Sequence, residues 1–286
     1  MAYLEVSNVT YRYPLTTANA IENINFKLDK GQVLGIMGVN GSGKTTICNI
    51  LRGFIPSFYQ GTLQGSVKIA GKSLKEYPDT ELSQLMGYIF QNPFTQISGV
   101  KDTVKEELGY ALENMGTKSE TIKVRVQQII ELLGLQQLAN KNPFALSGGQ
   151  KQMVAIGSIL VTNPDILIFD EPTSQLDPAA SQKIFELIGQ LKKQGKTIVL
   201  VEHKIDMMMN YVDRLLLLTG NGQQLDYGEP RHIFTNRDVI NVLGNGLPTA
   251  VRINLAQLRK KHAALPDVMP VTQEEIIEQL KSEEGR

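Results

Sequence analysis

The sequence predicts an α/β fold with a mixed sheet, and three observations carry that expectation. Continuous apolar runs recur at 33–37, 166–169, 197–201 and 215–218, each short enough for a strand and unbroken enough to be covered on both faces. Stretches with the apolar spacing of helices lie between them, as an α/β chain requires. The first thirty residues instead alternate through Leu4, Val6 and Val9, with 24–28 as a partner and Asp29-Lys30-Gly31 as the turn, which predicts an antiparallel strand pair.

Composition bounds the class. The chain has 286 residues, 42% of them hydrophobic and 20% charged, enough to build a substantial core in one large domain or two modest ones. Lys plus Arg and Asp plus Glu number 29 each, and that neutrality argues against a surface dominated by nucleic-acid binding. Cys48 is the single cysteine, so no internal disulfide is possible, and a reducing compartment is expected. No apolar run reaches 18 residues, so no membrane-spanning segment is expected. The start, Met1-Ala2-Tyr3-Leu4-Glu5-Val6, lacks the pattern of a secretory signal, which makes a cytoplasmic protein the expectation.

Tyr11 and Tyr13 come first in the chain. An adenine ring packs well on an aromatic face, and the plainer reading of both tyrosines is a β-sheet surface. After the run at 33–37 stand Gly38, Val39, Asn40, Gly41, Ser42, Gly43, Lys44, Thr45 and Thr46, followed by Ile47, Ile50 and Leu51 at helical spacing. A strand, a glycine-rich turn and a helix opening on Lys and Thr form the P-loop context. The glycines let backbone N–H groups converge on phosphate oxygens, and the helix start adds its positive dipole end. Lys44 would neutralise the β and γ phosphates, and the Thr45 hydroxyl would ligate Mg²⁺.

Further strands are expected at 67–69 and 87–90, the second followed by Gln91-Asn92-Pro93. Val104, Leu108, Leu112 and Met115, then Ile122, Val126, Ile129, Ile130 and Leu133, keep helical spacing, so an all-helical subdomain is expected between the strand-rich parts. Leu146-Ser147-Gly148-Gly149-Gln150 opens another helix. It reads either as a second anion site or as an ordinary cap. The run at 166–169 ends in Asp170 and Glu171, two carboxylates where open α/β sheets place ligands. With a P-loop upstream, Asp170 is expected to hold Mg²⁺ through water and Glu171 to polarise the attacking water. His203, closing the run at 197–201, is expected at the same edge, within reach of a γ-phosphate. Leu215 to Leu218 turn through Asn221-Gly222 into Gln224-Leu225. The tail from Pro230 onward is a small helical appendage whose last helix opens on the capping box Thr272-Gln273-Glu274-Glu275.

The P-loop, Gln91, residues 146–150, Asp170-Glu171 and His203, in this order over about residues 3 to 230, resemble the nucleotide-binding subunit of ABC transporters. The resemblance implies an ABC-type ATPase core at 1–230, with a helical subdomain at about 95–160 and a C-terminal helical dimerisation segment at 231–286. It also implies that Tyr13 stacks on adenine and that Gln91 senses Mg²⁺ and the γ-phosphate and touches the membrane partner. Ser147, Gly148, Gly149 and Gln150 would bind ATP held by the other subunit, and Ser174-Gln175-Leu176-Asp177 would cross the dimer interface. Catalytic roles fall to Glu171, His203, Gln91 and Lys44, and Mg²⁺ binding to Thr45, Gln91 and Asp170. ATP would then be glue between two subunits, and its hydrolysis would reopen them.

Phe90-Gln91-Asn92-Pro93 with Gln96, Phe58-Tyr59-Gln60-Gly61, Val201-Glu202-His203 and the tail's Gly246-Leu247-Pro248 and Leu265-Pro266 resemble the energy-coupling factor (ECF) importers within that family. This implies ATP-driven uptake of a vitamin or a transition-metal ion at the cytoplasmic face of a bacterial cell membrane. The implied partners are a second ATPase subunit, an integral membrane coupling protein and a substrate-binding membrane protein, with no nucleic acid. The alternatives are an ABC transporter outside the ECF group and an ABC ATPase not engaged in transport. Met153, Gly157 and Gln175 depart from the family's usual Arg, Ala and small residue, which favours pairing with a different ATPase over a homodimer.

Overall fold

The computed structural model describes residues 2–284, so the expected segments 1–230 and 231–286 run past it at Met1, Gly285 and Arg286. The chain begins with β1 (Leu4–Arg12), β2 (Ile21–Leu28), β3 (Val33–Met37), α1 (Lys44–Leu51) and the short α2 (Phe54–Ser57). β4 (Thr62–Ile69), β5 (Lys72–Ser73), α3 (Asp79–Leu85) and β6 (Met86–Ile89) follow. Next come α4 (Val104–Asn114), α5 (Ser119–Leu133), α6 (Gly148–Leu160), β7 (Ile166–Asp170), α7 (Pro178–Lys193) and β8 (Thr197–Val201). α8 (Ile205–Met208), β9 (Arg214–Leu218), β10 (Gln224–Gly228) and α9 (Pro230–Ile233) lead to α10 (Arg237–Leu243), α11 (Thr249–Lys260) and α12 (Gln273–Glu284). The chain divides into two compact units, one of residues up to Leu74 together with those from Glu202 onward, the other of Lys75–Val201.

In the first unit an antiparallel sheet runs in the order β2-β1-β4-β5, with Leu4 opposite Leu28 on one side and Ile69 on the other. The alternation of β1 is explained by this placement, because Leu4, Val6, Val9 and Tyr11 face the core while the residues between them do not. β3 pairs in parallel with β9, Leu34 opposite Arg214, and β10 returns antiparallel along β9. All five residues of β3 are buried, as its unbroken apolar run predicts. The tail belongs to this unit. Phe234 and Val251 are fully buried, Arg231 pairs with Glu275, and the expected box forms, with Thr272 Oγ1 accepting from Glu275 N–H at 3.3 Å and Glu275 Oε2 accepting from Thr272 N–H at 3.2 Å.

In the second unit β6, β7 and β8 pair in parallel, and every residue of β7 and β8 is buried. α4 starts on a full capping box made by Thr103 and Glu106. Its buried Glu107 takes both the N–H and the hydroxyl of Ser98, each at 2.7 Å. α4, α5 and α6 meet at Gly157, where an added Cβ would lie 2.6 Å from Leu108 Cδ2 and 2.9 Å from Leu133 Cδ1. The glycine that departs from the family's usual alanine is thus a clearance for three helices.

The α/β class with both parallel and antiparallel pairing is as expected. The differences are local. β4 starts five residues before the expected 67–69, the strand expected at 87–90 ends at Ile89, and Met115 caps α4 from outside it. α3 has a single buried residue, Leu82, and so offers no apolar period to read.

Candidate functional site

In the first unit, the turn between β3 and α1 is shaped by its glycines. Gly41 and Gly43 hold left-handed backbones, with φ of 83° and 90°. A Cβ on Gly43 would come within 2.3 Å of Ile21 Cγ2, and one on Gly38 within 2.4 Å of Ser42 Oγ. Lys44 folds back over the turn, its Nζ donating to Gly38 O at 3.0 Å and Val39 O at 3.2 Å. Ser42 is fully buried, and its hydroxyl has no hydrogen-bond partner among the described residues. Beside it α1 starts without a side-chain cap. A buried hydroxyl beside a helix start that no side chain caps, with a lysine folded over the turn, fits an anion.

The two tyrosines part company. Tyr11 is fully buried, donates to Gln60 O at 2.7 Å, and its hydroxyl is held above the ordinary phenol range by burial and by Tyr13. It is a core residue of the sheet. Tyr13 is half-buried, stands edge-on to Tyr11 with ring centres 4.8 Å apart, and places its hydroxyl 3.1 Å from Thr46 Oγ1 of α1. Val39, Asn40, Gly41 and Thr45 are exposed along the same turn. His203 is exposed too, and its N–H donates to the buried Glu202 carboxylate at 3.0 Å.

In the second unit, the end of β7 carries the two acids, and Gln91 follows the end of β6. The parallel register sets Ile89 opposite Phe169, and two further steps along each chain bring Gln91 beside Glu171. Gln91 Nε2 donates to Glu171 Oε2 at 3.1 Å. Glu171 has a left-handed backbone, φ 52°, fastened by its N–H to Val201 O at 2.9 Å. Such a conformation is costly outside glycine and concentrates at functional sites. Tyr88 Oη donates to Asp170 Oδ2 at 2.6 Å, a short charge-assisted bond. The chain leading into Gln91 is itself held, since Phe90 N–H donates to Gln96 Oε1 at 3.3 Å and Gln152 Nε2 donates to Phe90 O at 3.4 Å.

Sequence reasoning passed over Tyr88. The available signal was a tyrosine inside an apolar strand, whose hydroxyl must find a partner.

Also in this unit, Ser147 and Gln150 close a capping box on α6. With Gly148 and Gly149 they line a cavity of about 630 Å³ that also takes in Met153, Gln175 and Asp177. A Cβ at Gly148 would meet nothing within 4 Å, so the helix start is open. Two of the three departures from the family pattern therefore face the same cavity as residues 147–150.

The family profile described as ABC transporter matches residues 21–174. The chain is 38% identical, over 91% of its length and 92% of the relative's, to a Pyrococcus abyssi protein named as an ABC transporter ATP-binding protein. It is 34% identical to the energy-coupling factor transporter ATP-binding protein EcfA of Methanocaldococcus jannaschii, over 88% of each chain. Among solved structures it is similar to CbiO1 of Clostridium perfringens, part of the ABC transporter complex CbiONQ, with a TM-score of 0.74, 28% identity and coverage of 90% of this chain and 98% of that one. A dimeric ATP-binding cassette bound to ADP and Pi matches with a TM-score of 0.66 and 29% identity, over 79% of this chain and 98% of its own.

Proposed function

Because the chain belongs to the ABC transporter family and is an ATP-binding, ATP-hydrolysing enzyme of it, we propose that it powers an importer of the ECF type. One observation carries this reading over the other transporters of the family. The relative named as the energy-coupling factor transporter ATP-binding protein EcfA aligns at 34% identity over 88% of each chain. No helix among the described residues is long and apolar enough to cross a membrane. In this reading membrane partners carry the substrate, a vitamin or a transition-metal ion, and this chain works at the cytoplasmic face.

In this reading the start of α1, which no side chain caps, the Ser42 hydroxyl and Lys44 take the β and γ phosphates, and the half-buried Tyr13 stacks on adenine. Thr45, Gln91 and Asp170 offer hydroxyl, carboxamide and carboxylate oxygens, the hard donors that suit Mg²⁺ alongside phosphate and water. When bound, Mg²⁺ neutralises charge on the phosphates. Glu171 orients and polarises the attacking water, Gln91 holds the Glu171 carboxylate, and His203 contacts the γ-phosphate. Ser147, Gly148, Gly149 and Gln150 take the ATP held by a second ATPase subunit. Met153 and Gln175 make that cavity unlike the family's usual one, which supports a heterodimer.

The test is purification of the tagged chain from its native membrane, with its companions identified by mass. The reading expects a second, different ATPase and two membrane proteins, with ATP turnover in the assembly. Recovery of an exporter-type pair of membrane halves, or of a homodimer with full turnover, would overturn the ECF assignment or the heterodimer respectively.

A further inference from the structure

α11 begins at Thr249 after Pro248, a residue with no side chain to cap it. The cap comes instead from a segment 43 residues earlier in the chain. Asp206 Oδ1 accepts from Thr249 N–H and Asp206 Oδ2 from Thr249 Oγ1, both at 2.7 Å. Arg252, one turn on, donates to the same threonine hydroxyl at 3.1 Å. A carboxylate at the first N–H of a twelve-residue helix meets both an unsatisfied donor and the positive end of the dipole.

Asp206 lies three residues after His203, and the intervening chain has little freedom. Ile205 N–H donates to His203 O at 3.0 Å, and Met208 N–H donates to Lys204 O at 3.0 Å. Asn210 Nδ2 donates to the Asp206 carbonyl at 3.1 Å, and Met208 and Met209 are buried below the turn. On the other side α11 is anchored by the buried Ala250, Val251 and Leu255. The Asp206 carboxylate is thus a rivet between a packed tail helix and the turn that presents an exposed histidine.

We infer that Asp206 is a positioning residue for His203, and that through it the tail helix sets where the histidine stands during ATP hydrolysis. The inference rests on the role given to His203 above. Misplacement of a catalytic contact by about 1 Å can cost up to a hundredfold. Losing the rivet leaves His203 itself intact and costs about tenfold in kcat, inside that limit. Asn at 206 can still accept from Thr249 N–H and donate to its hydroxyl, and Ser at 249 keeps both donors, so these two variants retain the link.

The full chain carries three histidines, so labelling its imidazole carbons gives resonances that His203→Ala assigns. Asp206→Ala is expected to lower kcat about tenfold with KM for ATP changed less than twofold. It should also shift or broaden the His203 resonance, and Asp206→Asn should restore both readouts. Thr249→Val against Thr249→Ser gives the same contrast should Asp206→Ala not fold. A variant that melts earlier, yet keeps wild-type kcat and an unmoved His203 resonance, would show a merely structural cap and overturn the inference. Failure of the wild-type chain and its assembly to hydrolyse ATP would instead strike the functional reading, which separates the two.

Discussion

Gln91 Nε2 donates to Glu171 Oε2 across 3.1 Å, although 80 residues separate the two in sequence. Glu171 keeps this contact from a left-handed backbone, φ 52°. Glutamate gains nothing in stability from that conformation, which costs on the order of 1–3 kcal/mol, so the aim of its carboxylate is the return. The amide of Gln91 rests on one carboxylate oxygen.

Glu171→Gln is expected to abolish turnover while ATP stays bound. A positioned general base contributes about 10²–10⁴-fold, and the amide keeps the shape without the basicity. Phosphate release and retention of labelled ATP, measured on the same preparation, check both halves of the expectation. Turnover within tenfold of wild type would remove Glu171 from its assigned role.

Tyr88→Phe removes one hydroxyl, and with it the 2.6 Å bond that fixes Asp170 Oδ2. Groups that orient a metal-binding carboxylate typically cost about 10–100-fold in metal affinity or activity when lost. We expect kcat to fall about tenfold, with a matching rise in the Mg²⁺ needed for half-maximal rate. An unchanged Mg²⁺ dependence would mean that Asp170 is held well enough by its other contacts.

Lys44→Ala is expected to weaken ATP binding by roughly 10–100-fold, since hydrogen bonds to a charged group contribute about 1.5–3 kcal/mol. The same change should leave the fold nearly as stable, because the two carbonyls Lys44 now serves, Gly38 O and Val39 O, lie in a turn that water reaches at Val39 and Asn40. Equilibrium binding of a fluorescent ATP analogue and a thermal melt together test this.

Gly157→Ala sets two effects against each other. Alanine is the better helix former by about 1 kcal/mol. Its Cβ would meet Leu108, Leu133 and Ile129 at 2.6, 2.9 and 3.1 Å, and overpacking of this kind costs about 1–3 kcal/mol. All three neighbours are buried and must move together, so a net loss of about 1 kcal/mol is expected in chemical denaturation. A stabilised variant would show that the three helices yield easily.

The strands of the parallel pairings were legible from their largely apolar runs, and so was the antiparallel pair, because β1 alternates. α3 was not, having one buried residue to show. Tyr11 and Tyr13 read alike in sequence and differ in the fold, since only the first is covered by the backbone of Tyr59 and Gln60. Gly157 read as a departure from a pattern, and the reason for it is three side chains from two other helices.

What the sequence laid out by itself is the expected phosphate cradle at residues 38–46. A phosphate cradle needs a strand end, glycines able to turn left-handed, a helix start and a lysine, all contiguous, and local spacing states all of it. The tertiary structure decided the pairings Tyr88–Asp170, Gln91–Glu171 and Asp206–Thr249, between residues 82, 80 and 43 apart. Their geometry follows from strand register and from how a tail helix packs. Both are set by burial summed over many residues, and no single stretch of the chain encodes them.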